Sequence, residues 1–381
     1  MFILIFFILL VLTLALLTIP KNTKIEKVEP IHKESKLQMI GLETPNKLFG
    51  ESYETGWMRR FLDPTITFKW SAPGNVISEQ PSVPKKYYTD FIIDLPTLGN
   101  TSIYSVNSDT QYNIYVCGVT RVTGVVTTDS NFIIKYDKNG NFIWKTYVTT
   151  GYYDGGVIGL FERFSFSTVD KNGNIYMTGS VSGTVNVYSS DNNIFKTYST
   201  ANRQTYIVKY NSSGIAQWSV PIDSTNFDYG TCISVDSNDN VYLGCCIQGG
   251  GVLNNIYHSD NTLFTSTANL QYGFIIKYDS SGFVQWYTTI SNSNIFGLKV
   301  DNNNNICVAG VIYGSPAIVY NLNNSIFKTL TFSGIWDLLI VKYNSLGTPL
   351  WATTCGSSGD DRALSIDTDN SNNIYICGCL L

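Results

Sequence analysis

Three turns in the chain carry acidic and amide side chains at the spacing that begins a calcium loop. Asp170-x-Asn172-x-Asn174, Asp236-x-Asn238-x-Asn240 and Asp301-x-Asn303-x-Asn305 place oxygen side chains at i, i+2 and i+4. That is the opening of the arrangement in which carboxylates and carbonyls wrap a hard cation. The closing carboxylate is missing, because the ninth positions hold Thr178, Gly244 and Ala309. One formal negative charge per loop would hold calcium weakly. Asp and Asn are also favoured in tight hairpin turns, where they tolerate positive φ. The turns are therefore read as hairpin connections, and no metal ligand is assigned.

Catalytic residues are sparse. Only His32 and His258 are present, and neither lies in a nucleophile, histidine and carboxylate pattern. G-x-S-x-G and phosphate-cradling glycine loops are also missing where a strand would lead into a helix. A glycosidase needs only two carboxylates, and Asp360 with Asp361 is the obvious pair, yet adjacent residues on a strand point to opposite faces. Among the eight cysteines, Cys245-Cys246 and Cys377-x-Cys379 lack a second cluster and a histidine at zinc-like spacing. Cys117 and Cys377 share a repeat position with Thr178, Gly244 and Ala309, so cysteine serves there as a small apolar residue. Cys232, Cys246 and Cys355 fall outside that position and are disulfide candidates if the domain is lumenal. No catalytic or cofactor-binding residue is assigned, and an enzyme is not expected.

The elements that hold these residues recur. The segments NFIIKYDKNGNFIW, TYIVKYNSSGIAQW, GFIIKYDSSGFVQW and LLIVKYNSLGTPLW end at Trp144, Trp218, Trp286 and Trp351, with spacings of 74, 68 and 65. A second motif alternates with them: NIYVCG, NIYMTG, NVYLGC, NICVAG and NIYICG begin at Asn113, Asn174, Asn240, Asn305 and Asn373, with spacings of 61, 66, 65 and 68. Each motif reads as a pair of β-rich strands around a polar turn. Two hairpins per period of about 65 residues predict a four-stranded antiparallel meander, and such sheets repeated around an axis make a propeller. The tryptophan is expected to pack between neighbouring repeats. The segments 181–204 and 248–272 read as insertions placed on the rim or one face, where binding usually resides.

The last copy, WATTCGSSGDDRALSIDTDNSNNIYICG from Trp351, resembles the β-propeller repeats of the SBBP type. It contains a tryptophan, a glycine-rich loop, an Asp pair, an apolar strand, an Asp/Asn turn and then N-I-Y-x-x-G. The resemblance covers residues 102–381 and implies a fold and repeat-based binding, with no reaction. The glycine-rich loop is recognisable only in the last copy. Four full repeats are followed by a partial fifth, and residues 65–70 or 87–95 are expected to supply its missing strands, so about five blades are predicted.

Residues 2–19 form an uncharged apolar run at the lower edge of the length that spans a bilayer as a helix. No basic residue precedes the run and no A-x-A-like site follows it, which favours an uncleaved anchor over a secretory signal peptide. Lys21, Lys24 and Lys27 directly after the run favour a cytoplasmic domain. Sequons at Asn100, Asn211 and Asn323 would matter only on the lumenal side, so orientation stays open. Across the chain, charged residues make up 14% and the net charge is -4, which gives no electrostatic basis for binding a nucleic acid.

These readings combine into an all-β chain. Residues 1–19 are an anchor or signal helix, 20–61 a juxtamembrane linker, and 62–381 a propeller of about five four-stranded antiparallel blades. The function expected is a non-catalytic, membrane-tethered interaction or structural module without a cofactor, contacting a protein or a glycan through the inter-hairpin loops. The alternative is a carbohydrate-binding or carbohydrate-active propeller using its central face; a secreted or surface location is the alternative to the single-pass membrane one.

Overall fold

The computed structural model describes residues 71–72, 75–76, 100–122, 128–149, 165–222, 228–247, 253–268, 272–314 and 316–379. The chain divides into two compact units, Met1–Phe91 and Ile92–Leu381. In the first, β1 (Ser71–Ala72) and β2 (Asn75–Val76) pair antiparallel. The apolar run 2–19, the linker 20–61, His32 and the strand candidates 65–70 and 87–95 lie outside the described residues. Among those described, no helix is long and apolar enough to cross a membrane.

The second unit is a propeller-like array of antiparallel repeats. Repeat one holds β3 (Asn100–Ser108), β4 (Ile114–Val122), β5 (Thr128–Tyr136) and β6 (Phe142–Thr149). Repeat two holds β7 (Ser165–Val169), β8 (Ile175–Tyr188), β9 (Ile194–Tyr210) and β10 (Ala216–Ile222). Repeat three contains β11 (Asp228–Val235), β12 (Val241–Ile247), an added pair β13 (Leu253–Tyr257) and β14 (Leu263–Ala268), then β15 (Tyr272–Tyr278) and β16 (Val284–Ser291). Repeat four follows the same order with β17 (Ser293–Val300), β18 (Ile306–Ile312), the added β19 (Ala317–Tyr320) and β20 (Ile326–Leu330), then β21 (Asp337–Tyr343) and β22 (Pro349–Cys355). The fifth repeat shows two strands, β23 (Arg362–Thr368) and β24 (Ile374–Cys379).

Both hairpins of a repeat form for the reasons their sequences suggest. In the first, an Asp begins the turn and a residue three positions later takes positive φ, as at Tyr112, Asp239, Asn304 and Asn372. In the second, Gly140, Gly214, Gly282 and Gly347 take that place, with φ between 79° and 84°. A smaller apolar core around Val116, Phe132, Ile134 and Tyr136 lies within repeat one; most of the apolar cores lie between repeats. One joins Tyr115, Trp144, Met177 and Tyr210; the next Tyr176, Trp218, Leu243 and Tyr278; a third Tyr242, Trp286, Val308 and Tyr343. A repeat therefore buries much of its apolar surface against its neighbours. The small-residue position is real: Cys117, Thr178 and Ala309 are fully buried, and a Cβ at Gly244 would fall 2.3 Å from the Cys232 sulfur.

The expected separate four-stranded blades, about five of them, are corrected by the strand pairing, while the expected terminal helix lies outside the described residues. The sheets of the second unit hold eight, six, four, two and two strands, and no helix occurs among the described residues. The insertions cause the difference. They are rich in Ile, Phe, Thr and Tyr and form two-stranded ribbons instead of loops. In repeat two the outer halves of β8 and β9 make the ribbon, and its Val187 and Asn186 pair with Val148 and Thr149 of β6 in repeat one. In repeat four Val319 pairs with Ile290 of β16 in repeat three. A ribbon edge carries unpaired N–H and C=O groups, and the outer strand of the preceding repeat satisfies some of them. The repeat-two and repeat-four ribbons thus turn separate meanders into continuous curled sheets, while β13 and β14 pair only with each other.

Candidate interaction surface

One set of side chains recurs at the junctions between repeats. The Asp that opens each first hairpin accepts from its own turn: Asp236 Oδ1 takes the N–H groups of Asn238 and Asn240, and Oδ2 takes the Asn240 side-chain amide and the Tyr242 hydroxyl at 2.9 Å. Asp109 with Tyr115 and Asp170 with Tyr176 repeat this. The i, i+2, i+4 oxygens thus build a turn, and its carboxylate is already engaged by the turn's own donors. Among the described residues no group of three or more His, Cys, Asp or Glu gathers as a metal cluster.

The tyrosine ring then carries a lysine. Lys135, Lys209 and Lys277 each place Nζ 5.2 Å from the ring centre of Tyr115, Tyr176 and Tyr242, within the range of a cation–π contact. Burial pulls these ammonium groups down from their ordinary value, and the nearby Asp carboxylates push them back up. Burial, reinforced by the Asp partner, holds the three phenols well above theirs. Each lysine donates to a backbone carbonyl of the following repeat, Ser212, Ser280 or Ser345, at 3.1, 2.8 and 3.0 Å. The indole N–H groups of Trp144, Trp218 and Trp286 donate to the same three carbonyls at 3.1, 3.1 and 3.3 Å. The recurring tryptophan is an inter-repeat latch on the next turn. Trp351 departs from this: it is 39% exposed against 7–8% for the other three.

The ribbons project beyond these junctions. The tip of the repeat-three ribbon is tied to its own second hairpin: Ser259 N–H donates to the Gly282 carbonyl, and His258 Nδ1 accepts the Val284 N–H at 2.9 Å. His258 also packs on Phe264 and Phe283, so it is a fastening of the ribbon. Lys196 in the repeat-two ribbon donates to the Ser219 carbonyl and to Asn261 at the neighbouring ribbon tip, at 2.6 and 2.7 Å. Between these two ribbons lies a cavity of about 330 Å³ lined by Phe195, Lys196, Trp218, Ser219, Asp260 and Asn261 among others.

At the tips, apolar side chains face water. Ile194 and Phe195, Leu263 and Phe264, and Ile326 are exposed, while Phe327 is half-buried. Scattered exposed apolar residues need no explanation, but the same dipeptide on three successive ribbons is a patterned surface. A sequence signal for it exists. Asn192, Asn261 and Asn324 each precede x-[Ile or Leu]-Phe, with spacings of 69 and 63. That third periodic motif sits inside segments that the two-motif reading treats as insertions.

The other residues singled out by chemistry are placed elsewhere. Asp360 pairs with the Arg362 guanidinium, which stacks 4.0 Å from the Trp336 ring centre. Asp361 is fully buried and accepts the Ser357 N–H. The two carboxylates hold the loop around the Trp336–Asp360 bridge. All eight cysteines are free thiols; of the three that the sequence singles out for a lumenal setting, Cys232 and Cys246 are buried while Cys355 is exposed. Cys246 sulfur accepts the Ile295 N–H at 3.3 Å, and burial pushes its thiol up to about 12.

No protein-family model matches the chain. An uncharacterised WD repeat-containing protein of Acanthamoeba polyphaga mimivirus is 31% identical over 168 residues, a match covering 41% of this chain. The chain spans 12% of that relative's length. A crystal structure of a protein of unknown function from Bacteroides caccae is similar over 67% of this chain and 82% of its own, with 10% identity and a TM-score of 0.29.

Proposed function

We propose that the chain is a non-catalytic interaction module that binds protein partners along the tips of its three inserted ribbons. One observation carries this reading: the Ile/Leu-Phe dipeptides recur at the repeat period near the ribbon tips, where Lys196 ties the repeat-two ribbon to its neighbour and His258 ties the repeat-three ribbon to its own second hairpin. Aromatic and aliphatic anchors presented on a rigid scaffold are what protein interfaces use at their centres. Similarity to a WD repeat-containing protein supports repeat-based binding. The apolar run 2–19 supports a location at a membrane, with the array displayed from it.

The test compares the wild-type chain with a Phe195→Ser, Phe264→Ser, Ile326→Ser variant in two screens, a displayed library of random peptides and a glycan array. Peptides enriched on the wild type should lose binding by at least about tenfold on the variant, the equivalent of roughly 1.4 kcal/mol. Peptides that bind both proteins equally, or binding confined to glycans, would contradict the reading.

A further inference from the structure

The three ribbon tips are fastened differently at one equivalent position. Ser189, His258 and Asn321 open the tip turns, their N–H groups donating to the carbonyls of Asn193, Thr262 and Ser325. Two residues before the tryptophan of each repeat stand Ala216, Val284 and Pro349. In repeat two the Ala216 N–H donates to Ser189 Oγ at 3.0 Å. In repeat three the Val284 N–H donates to His258 Nδ1 at 2.9 Å. In repeat four Pro349 has no N–H to give. Of the two fastenings, the one in repeat three is made by a group that takes up a proton.

A neutral imidazole that accepts through Nδ1 carries its hydrogen on Nε2, so the next proton goes to Nδ1. Nδ1 is then a donor that faces another donor. Val284 is only 5% exposed, and a buried N–H left without an acceptor is costly. The imidazole also sits between two aromatic rings, its centre 5.3 Å from that of Phe264 and 5.2 Å from that of Phe283. Phe264 belongs to the exposed dipeptide at the tip, so the imidazole leaves Val284 only by shifting against a side chain that faces water.

The titratable groups around the ring are Asp260 on the same turn, Asp279 on the second-hairpin turn, Lys196 of the repeat-two ribbon, and Tyr287, which packs on Phe264. Asp279 is taken up by the N–H groups of Ser281 and Phe283 and by the Gln285 amide. Lys196 is taken up by the Ser219 carbonyl and Asn261, and burial holds the Tyr287 phenol above its ordinary value. The Thr262 hydroxyl and N–H, and to a smaller extent His258, hold the Asp260 carboxyl below its ordinary value. Asp260 is therefore ionised across the range in which imidazoles titrate, and it offers a protonated ring a new partner.

We propose that His258 is a pH-sensitive fastening that regulates partner binding at the repeat-three ribbon. The neutral ring holds Val284 and fixes Phe264. In acid the imidazolium releases the Val284 N–H, turns toward Asp260 and displaces Phe264, which weakens binding. The bond from the Ser259 N–H to the Gly282 carbonyl survives protonation, so the tip shifts without detaching. This regulation rests on the reading of the ribbon tips as a binding surface.

Two measurements on the full chain keep the two claims apart. The first needs no partner: amide exchange of Val284 at about pH 8 and about pH 5.5, corrected for the intrinsic pH dependence and referenced to Ala216. Val284 protection should fall at least about tenfold in acid while Ala216 keeps its own. His258→Ser, which copies the Ser189 fastening, should show the same Val284 protection at both pH values. The second uses peptides selected on the wild type at the higher pH that lose binding with Phe264→Ser. Their affinity for the wild type should fall at least about threefold in acid, and their affinity for His258→Ser should stay constant. Constant Val284 protection in the wild type, or the same acid loss in His258→Ser, would overturn the fastening. A fall in protection with equal affinities at both pH values would overturn the regulation. Peptides insensitive to Phe264→Ser would sink the binding reading, and the regulation with it, whatever the exchange shows.

Discussion

Asp236 shows how one residue type can read as two chemistries. Its spacing from Asn238 and Asn240 opens a calcium loop, but both carboxylate oxygens are occupied by donors from the same turn and by Tyr242. Asp236→Ala leaves these donors without their acceptor beneath a buried tyrosine. Hydrogen bonds to a charged group are worth roughly 1.5–3 kcal/mol each and are not additive. A destabilisation of about 3 kcal/mol is expected in urea unfolding, and Asp236→Asn, which keeps one acceptor oxygen, should lose less. A loss within about 0.5 kcal/mol for the alanine variant would mean that the turn does not depend on the carboxylate. This turn was legible in the sequence because its ligand set is incomplete. The roles of Lys135, Lys209 and Lys277 were not, since a lysine in a strand pattern reads as a solvated face until the next repeat brings a carbonyl to it.

At the scale of elements, the hairpins and their turns follow from alternation and turn residues, and the ribbons do not. A segment such as TVNVY in β8 has strand composition, but one of its partners, β6, lies in the preceding repeat, and no local pattern encodes that pairing. The latch between elements can be isolated at Gly282. Its φ of +83° and the 2.8 Å that would separate an added Cβ from Trp218 give Gly282→Ala two costs. The left-handed backbone alone accounts for about 1–2 kcal/mol, and overlap with the indole adds to it. A Cβ there would also come 2.7 Å from Ser259 Cβ, so in a double-mutant cycle on urea stability Trp218→Ala should remove the indole's share of the overlap and leave the backbone cost and the Ser259 contact. Strict additivity of the two substitutions would show that the ring does not rest on the turn.

For the molecule as a whole, the recurrence of two interleaved motifs made an all-β repeat array legible, because a repeat that cannot bury its faces alone needs neighbours of the same kind. The number and separateness of the sheets were not legible: ribbon edges recruit outer strands, giving sheets of eight and six strands where four were expected. The exposure of Trp351 was not legible either, since the sequence repeats the tryptophan without showing whether a following turn is present to cover it. What fastens repeats one to three to the repeats that follow them is an indole and an ammonium sharing one carbonyl of the next repeat. Solvent exchange of the assigned indole N–H protons, followed by NMR in the full chain, is the decisive measurement. The protons of Trp144, Trp218 and Trp286 should exchange slowly and that of Trp351 fast. Four indoles exchanging at one common rate would show that no such fastening exists.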